Sequence, residues 1–222
     1  MKFVAGKKLF AILFAAAVIS VKTFAVELLL TPTIGYSHIG FTGVSAYGRT
    51  NINRLKTTIG TNVMPLGFAL ELITDSGFTV ILNNDIAPFG EGTLRTTGVT
   101  LDTKLEKGVS SQRSIVFART FKVRGETIYI NIGAGAATGI TKLTLHGKSG
   151  DTDYNKSDIW DFSIGVPLQV GIHYFFTKFA GINLTFLETV GISFGFFHDD
   201  KSAGHLGFEN VFTIKAGPIF KF

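Results

Sequence analysis

Apolar and polar residues alternate strictly in the last third of the chain. Between residues 159 and 176, nine apolar side chains occupy the even positions, and Asp161, Gln169 and His173 are among the odd ones. The same alternation recurs in residues 181–196. A period of two places successive side chains on opposite faces of a β-strand. The pattern therefore predicts a hairpin of two long strands.

Six further segments alternate in the same way, five of them more weakly. They are residues 28–39, 56–72, 78–86, 113–121, 127–137 and 208–222. The predicted total is eight strands. Val99, Leu101 and Leu105 also alternate and leave a count of nine or ten open, but an extra strand would disturb the rhythm of the connections. We therefore expect that segment to form a ribbon above the barrel.

Short and long connections alternate along the predicted strands. The short ones are 74–77, 123–126 and 177–180, and the long ones are 41–55, 87–112, 138–158 and 197–207. Short turns on one side and long loops on the other are typical of bacterial membrane barrels, which have even strand numbers. Both mature termini are then expected on the periplasmic side.

The composition of the two faces separates a membrane barrel from a soluble one. One face carries Phe, Ile, Leu and Val, and the other carries Gly, Ser, Thr and Asn. A soluble barrel turns bulky apolar residues inward, whereas small polar residues fit the narrow lumen of an eight-stranded membrane barrel. The predicted fold class is all-β, an antiparallel up-and-down transmembrane barrel of about eight strands.

The first 25 residues predict an export signal. Residues 1–8 are basic, residues 9–19 are almost wholly apolar, and Ala25 precedes Val26 and Glu27. This apolar run is too short to span a bilayer. We expect residues 1–25 to be a cleaved signal peptide and residues 26–222 to be the barrel.

The net charge does not predict a nucleic-acid partner. The chain carries +5, but four lysines lie in the first 25 residues, so the remainder has 17 basic and 16 acidic residues. Binding to phosphate backbones requires a concentrated cationic surface. The absence of cysteine excludes disulfides, thiolate metal sites and an acylated N-terminal cysteine.

The last strand carries a family resemblance. It ends on Phe220 and Phe222 with alternate apolar residues before them, and this ending resembles the assembly signal of bacterial outer-membrane barrels. With the export signal, the chain resembles small barrels of the OmpA, OmpX and OmpW type, especially spirochaete barrels of poorly defined function. The resemblance implies an integral protein of the cell outer membrane that contacts the barrel assembly machinery through this strand, and it assigns no other functional residue.

Five charged or ionisable residues occupy alternate strand positions that are expected to face the lumen. They are Asp161, His173, Glu209, Lys215 and Lys221. We interpret them as a hydrogen-bonded network that plugs a narrow barrel, the alternative being a substrate or proton path. Glu188 has the lipid-facing phase, where a carboxylate is unfavourable unless a bulge turns it inward. The sequence leaves that question open.

Other motifs predict no catalytic, cofactor or metal site. His198-Asp199-Asp200 with His205 could form a surface hydrolase or metal site, but a solvated loop is the simpler interpretation. Asp151-Thr152-Asp153 with Asn155 lacks the Gly and Glu of a calcium loop. Gly133, Gly135 and Gly139 lack the Lys-Ser/Thr of a phosphate loop and are better explained as small lumen residues.

Three functions remain as hypotheses. The first is a surface-exposed barrel with loops that contact host or envelope ligands, supported by four long polar loops. The second is an OmpW-like channel for small hydrophobic solutes, for which the inward faces offer only Leu29, Phe175, Leu187 and Ile219. A lipid-modifying enzyme is a distant third, and we expect no enzyme activity.

Overall fold

The computed structural model describes residues 26–46, 55–89, 92–97, 102–149, 152–153, 157–197 and 204–222. Its strands are β1 (Val26–Ala46), β2 (Leu55–Val63), β3 (Leu66–Thr74), β4 (Phe78–Phe89), β5 (Gly92–Thr97), β6 (Asp102–Val123), β7 (Ile128–Ser149), β8 (Thr152–Asp153), β9 (Ser157–Phe175), β10 (Ala180–Phe197) and β11 (Gly204–Lys221). Among these residues, no helix is long and apolar enough to cross a membrane.

The strands pair antiparallel and close into a ring. β1 pairs with β11 from Leu29 opposite Lys221 to Ala46 opposite Gly204. The Phe222 amide continues this ladder by donating to the Leu28 carbonyl at 2.9 Å. The first and last strands of the chain therefore complete the barrel.

Two barrel positions are each occupied by a pair of consecutive strands. β2 and β3 both pair with β1, on either side of Met64 and Pro65. β4 and β5 both pair with β6, and β8 extends the end of β7. The ring order is β1, β2/β3, β4/β5, β6, β7, β9, β10 and β11, so the prediction of eight positions is confirmed.

The predicted long connections were too long. β5 and the start of β6 pair within residues 87–112, and β6 and β7 pair from Asp102 opposite Lys148 to Val123 opposite Ile128. Backbone pairing does not require an apolar face, so these strands continue beyond the alternating segments. Of the segment expected as a ribbon, Val99 and Leu101 lie outside the described residues, whereas Leu105 belongs to β6.

Short turns and both ends of the barrel sequence lie at one end, which we call the turn end; the opposite end is the loop end. At the first turn, Gly77 has φ +81° and its amide donates to the Thr74 carbonyl at 2.8 Å. A positive φ at this position favours glycine. The residues at 124–127 and 176–179 form the other two turns, as the sequence predicts.

Alternate residues point to opposite sides of the barrel wall. On β9, Asp161, Gln169 and His173 are buried, whereas Ile164 and Leu168 are 56% and 54% exposed. Aromatic residues also face outward at both ends of the strands: Trp160, Phe194, Phe196, Phe208, Tyr174, Phe176, Phe220 and Phe222 are all exposed. The interior is therefore polar and the outside is apolar.

Glu188 faces outward. It pairs with Leu168 on β9 and Phe212 on β11 in unbroken register, so no bulge turns it into the lumen. Its side chain is exposed among the apolar side chains of β10. The question that the sequence leaves open is answered in favour of the outward phase.

Candidate functional site

The lumen at the turn end contains a cluster of charged residues around a tyrosine. Glu27 accepts from Lys122 at 2.8 Å and lies 3.0 Å from the ammonium of Lys221. Lys221 also donates to the Tyr129 hydroxyl at 2.7 Å, and that hydroxyl donates to Glu27 at 3.0 Å. Glu126 lies 3.3 Å from Lys221. We call these five residues the turn-end cluster.

An apolar layer lies next to this cluster inside the barrel. Leu29, Ile73, Tyr129, Phe175 and Ile219 form one buried group, and none is more than 7% exposed. The rings of Tyr129 and Phe175 pack edge to face with centroids 4.9 Å apart. We call this group the apolar plug, because bulky side chains from five strands meet there and close the lumen.

The next layer surrounds a fully buried histidine. The Nδ1 of His173 lies 2.9 Å from the carbonyl oxygen of Asn183, which can only accept, so Nδ1 carries a proton. Its Nε2 lies 3.1 Å from the carboxylate of Glu71. Asn131 donates to the same carboxylate at 3.1 Å. The Asn131 amide nitrogen also lies 2.9 Å from Nε2, so the imidazole, this amide and the Glu71 carboxylate meet at one point in the lumen.

Hydrogen bonds cross the middle of the lumen. Lys215, 1% exposed, donates to Asp85 at 2.8 Å and to Asn83 at 3.2 Å. Asn83 in turn donates to Gln169 at 2.9 Å and to Ser114 at 3.0 Å. β4, which carries the first two acceptors, is a ring neighbour of neither β11 nor β9. These bonds therefore span the interior and leave little room for a solute.

Two carboxylates lie nearer the loop end. Glu209 accepts from Gln112 at 3.4 Å and from the Ser163 hydroxyl, and Asp161 is near enough to repel it. Both carboxyl groups belong to buried residues. Two buried carboxyl groups therefore lie close together in this part of the lumen.

A small cavity lies between this layer and the middle of the lumen. Its volume is about 20 Å³, and Ser37, Asp85, Ser110, Gln112 and Thr213 are among its lining residues. A cavity needs roughly 10–15 Å³ to hold one water molecule. The cavity is thus large enough for water and too small for a larger solute.

All five predicted lumen residues point inward, but they do not form one cluster. Lys221 is in the turn-end cluster, His173 pairs with Glu71, Lys215 pairs with Asp85, and Glu209 lies near Asp161. The sequence interpretation did not include the partners Glu27, Glu71, Asp85 and Tyr129. The alternation along each strand could have placed these four residues inside the barrel. It could not have shown which of the five predicted lumen residues each of them contacts.

Most residues of the remaining sequence motifs lie outside the described part of the chain. His198, Asp199, Asp200, Asp151 and Asn155 lie outside the described residues, and His205 lies on β11. Within the described ranges, no group of three or more His, Cys, Asp or Glu side chains could hold a metal ion.

Comparison with known proteins identifies the family and the fold. The family model described as Domain of unknown function (DUF2715) matches residues 24–222. No curated protein matches the chain. The outer membrane protein OprG from Pseudomonas aeruginosa is similar in structure, with 12% identity, a TM-score of 0.63 and coverage of 89% of this chain and 96% of OprG.

Two further solved structures are more distant. Ail, the attachment invasion locus protein of Yersinia pestis, solved with the heparin analogue sucrose octasulfate, has 11% identity and a TM-score of 0.43, over 88% of this chain and 99% of Ail. The outer membrane protease OmpT of Escherichia coli has 11% identity and a TM-score of 0.42, over 89% and 96%. The OprG likeness establishes a barrel fold of the outer-membrane type.

Proposed function

We propose that this chain, which belongs to the DUF2715 family, is an integral outer-membrane β-barrel that presents surface-exposed β-ribbons to envelope or host ligands. The observation that carries the proposal is the inverted distribution of polarity. Outward side chains such as Ile132, Ile164, Val166 and Ile182 are 53–58% exposed, whereas charged residues are buried inside. An apolar exterior on a closed ring is stable in lipid, where every backbone group must be satisfied within the wall.

The packed interior favours display over conduction. The apolar plug fills the lumen at the turn end, and the bonds from Lys215 and Asn83 cross its middle. An aqueous pore requires a continuous water-filled path through the lumen. We therefore propose that the interior polar network stabilises the barrel as a plug and does not serve as a proton or substrate path.

The two longest strands extend well beyond the membrane. β6 and β7 have 22 residues each, so at about 3.4 Å per residue and a tilt of about 40° each rises roughly 55 Å, against an apolar band of roughly 25 Å. The excess at the loop end has the sequences Asp-Thr-Lys-Leu-Glu-Lys and Lys-Leu-Thr-Leu-His-Gly-Lys-Ser. We propose this polar ribbon as the ligand-contacting surface.

An even number of strands places both mature termini at the turn end, which we assign to the periplasm. The assembly machinery would then receive the last strand, with Phe220 and Phe222 exposed on its outer face. Residues 1–25 lie outside the described residues, and we propose that export removes them. No enzyme activity is proposed.

The single tryptophan tests membrane insertion directly. Trp160 is outward, 40% exposed, and stacked with the Lys142 ammonium 5.5 Å from its ring centre. When the protein is refolded into liposomes, the fluorescence of Trp160 should be quenched strongly by lipids brominated near the headgroups and less by lipids brominated at the chain ends. Quenching by aqueous iodide alone would contradict membrane insertion.

Labelling of intact cells tests the orientation. A cysteine in place of Ser149, at the end of β7, should react with an impermeant maleimide, whereas one in place of Thr177, in a short turn, should react only after lysis. The reverse pattern would invert the topology and remove the ribbon from the cell surface.

A channel for small hydrophobic solutes is the second candidate, favoured by a gap in the wall. β2 pairs with β5 and β3 with β4, but β2 and β4 are not hydrogen-bonded neighbours. Pro65, which has no N–H to donate, lies beside this gap and lines the small cavity with Ile39 and Ala87. An apolar solute could reach the wall there from the side.

Filling the small cavity beside the gap tests this candidate. If the gap is a route, Ala87→Leu should lower the uptake of a small apolar fluorophore by proteoliposomes, and Ala136→Leu, on the outward face of β7, should not. Equal uptake by protein-free liposomes, wild type and both variants would reject the channel.

A further inference from the structure

Four polar side chains interrupt the apolar outside of the barrel on one flank. Asn210 donates to Glu188 at 3.1 Å, and His38 Nδ1 lies 2.8 Å from Asn62 Oδ1. All four are exposed on the outer face of β10, β11, β1 and β2, which are consecutive in the ring. We call these four residues the outer polar stripe.

The strand register places Glu188, His38 and Asn62 on one row across the wall. Glu188 is opposite Phe212, Phe212 is opposite His38, and His38 is opposite Asn62. Asn210 lies on the next outward row toward the loop end, opposite Gly40, so a glycine lies beside His38 and Asn210. A Cβ at that glycine would be 3.6 Å from the Asn210 carbonyl and 3.9 Å from His38 Nε2, which is ordinary contact.

Glu188 lies far from either membrane surface if the barrel spans the bilayer. Its outward neighbours on β10 are apolar in both directions: Ile182, Leu184, Phe186, Val190, Ile192 and Phe194. Within the described part of the chain, Asn210 is the one side chain that hydrogen-bonds it. A carboxylate can accept about four hydrogen bonds, and ionisable groups at this depth are unfavourable without a partner.

We propose that the outer polar stripe is the contact surface of a homodimer in the membrane; this inference rests on the membrane location proposed above. A two-fold axis along the membrane normal reverses the strand order of the second copy. The β10 side of one copy then faces the β1 side of the other, twice, so Glu188 of each copy lies on the same side of the interface as His38 of the other. The proposal pairs each Glu188 carboxylate with the imidazole of the other copy.

Two features favour a second copy over a lipid. Headgroups lie at the membrane surfaces, whereas the apolar residues on both sides of Glu188 along β10 separate it from them. Gly40, beside His38 and Asn210, leaves the wall without a side chain at one point, and small residues of this kind are enriched at interfaces within membranes.

Cysteine crosslinking tests the geometry of the dimer. Gly40→Cys, refolded in liposomes at a low protein-to-lipid ratio and oxidised, should give a disulfide-linked dimer on non-reducing gels. Ile132→Cys is the matched control, because it is 53% exposed and lies on β7, across the ring from the stripe. Equal crosslinking of the two variants, or none at Gly40→Cys, would overturn the proposal.

A charge exchange tests the pairing. Glu188→His should weaken dimerisation, measured by energy transfer between labelled copies in liposomes, by about tenfold or more. Adding His38→Glu to it should restore dimerisation, because the exchanged pair is again complementary. A double variant as weak as the single one would count against the contact.

The assay also separates the two proposals. Protein that folds into liposomes, shown by Trp160 quenching, and stays monomeric at every lipid ratio refutes the dimer and leaves the membrane barrel intact. Protein that fails to insert refutes both.

Discussion

The turn-end half and the loop-end half of the lumen differ in what surrounds their buried carboxyl groups. In the turn-end half, Glu27 and Glu71 face lysine and histidine partners, and the apolar plug fills the space between them. In the loop-end half, Glu209 lies near another carboxylate, and a cavity of about 20 Å³ remains. The difference indicates that the turn end carries the seal of the lumen.

Truncation of the plug should have the largest effect. Tyr129→Ala removes a fully buried ring that packs on Phe175 and binds Lys221 and Glu27. The free energy of unfolding should fall by about 3–5 kcal/mol, as for other buried aromatic truncations. Urea titration in liposomes measures it. Tyr174→Ala, one strand position before Phe175 but outward, is the control, and an equal loss there would refute a special role for the plug.

Matched substitutions of two buried carboxylates should separate the halves. Glu71→Gln removes the charge that faces His173, and we expect a loss of about 2 kcal/mol, typical of a hydrogen bond to a charged group. Glu209→Gln removes a charge that faces Asp161 and should be neutral or stabilising. The comparison requires urea unfolding of both variants at pH 7. A larger loss for Glu209→Gln than for Glu71→Gln would reverse the contrast.

Removal of one hydroxyl should have the smallest effect. Ser110 shares a hydrogen bond of 2.8 Å with Thr141 and lines the cavity. Ser110→Ala should cost about 1 kcal/mol or less, because a water molecule in the cavity can replace the hydroxyl. Thr79→Val, which breaks the 2.6 Å bond to Thr120 in the sealed half, should cost more. Equal losses would show that the cavity admits no water.

The two faces of the wall could be predicted from the sequence, because alternation is a local property of a strand. On β9, the polarity of alternate residues sufficed to place Asp161 and His173 inside and Ile164 outside. Strand ends were less predictable. The paired residues of β6 and β7 beyond Arg113 and Ala137 are stabilised by their backbone ladder, which leaves no apolar pattern in the sequence.

The partners inside the lumen could not be predicted. Lys215 meets Asp85 across the barrel because β11 and β4 lie three ring positions apart at a particular register. Neither the ring order nor the register is encoded within a single strand. For the same reason, the sequence could indicate that Glu188 was unusual but not that Asn210 would bond it on the outer face.

Conductance in planar bilayers tests the central claim most directly, namely that the barrel is sealed and acts through its surface. Refolded wild-type protein, whose insertion is first confirmed by Trp160 quenching, should show no resolved single-channel steps in 1 M KCl, because the apolar plug and the bonds of Lys215 block the lumen. Regular steps from inserted wild-type protein would contradict the claim and would establish an open pore.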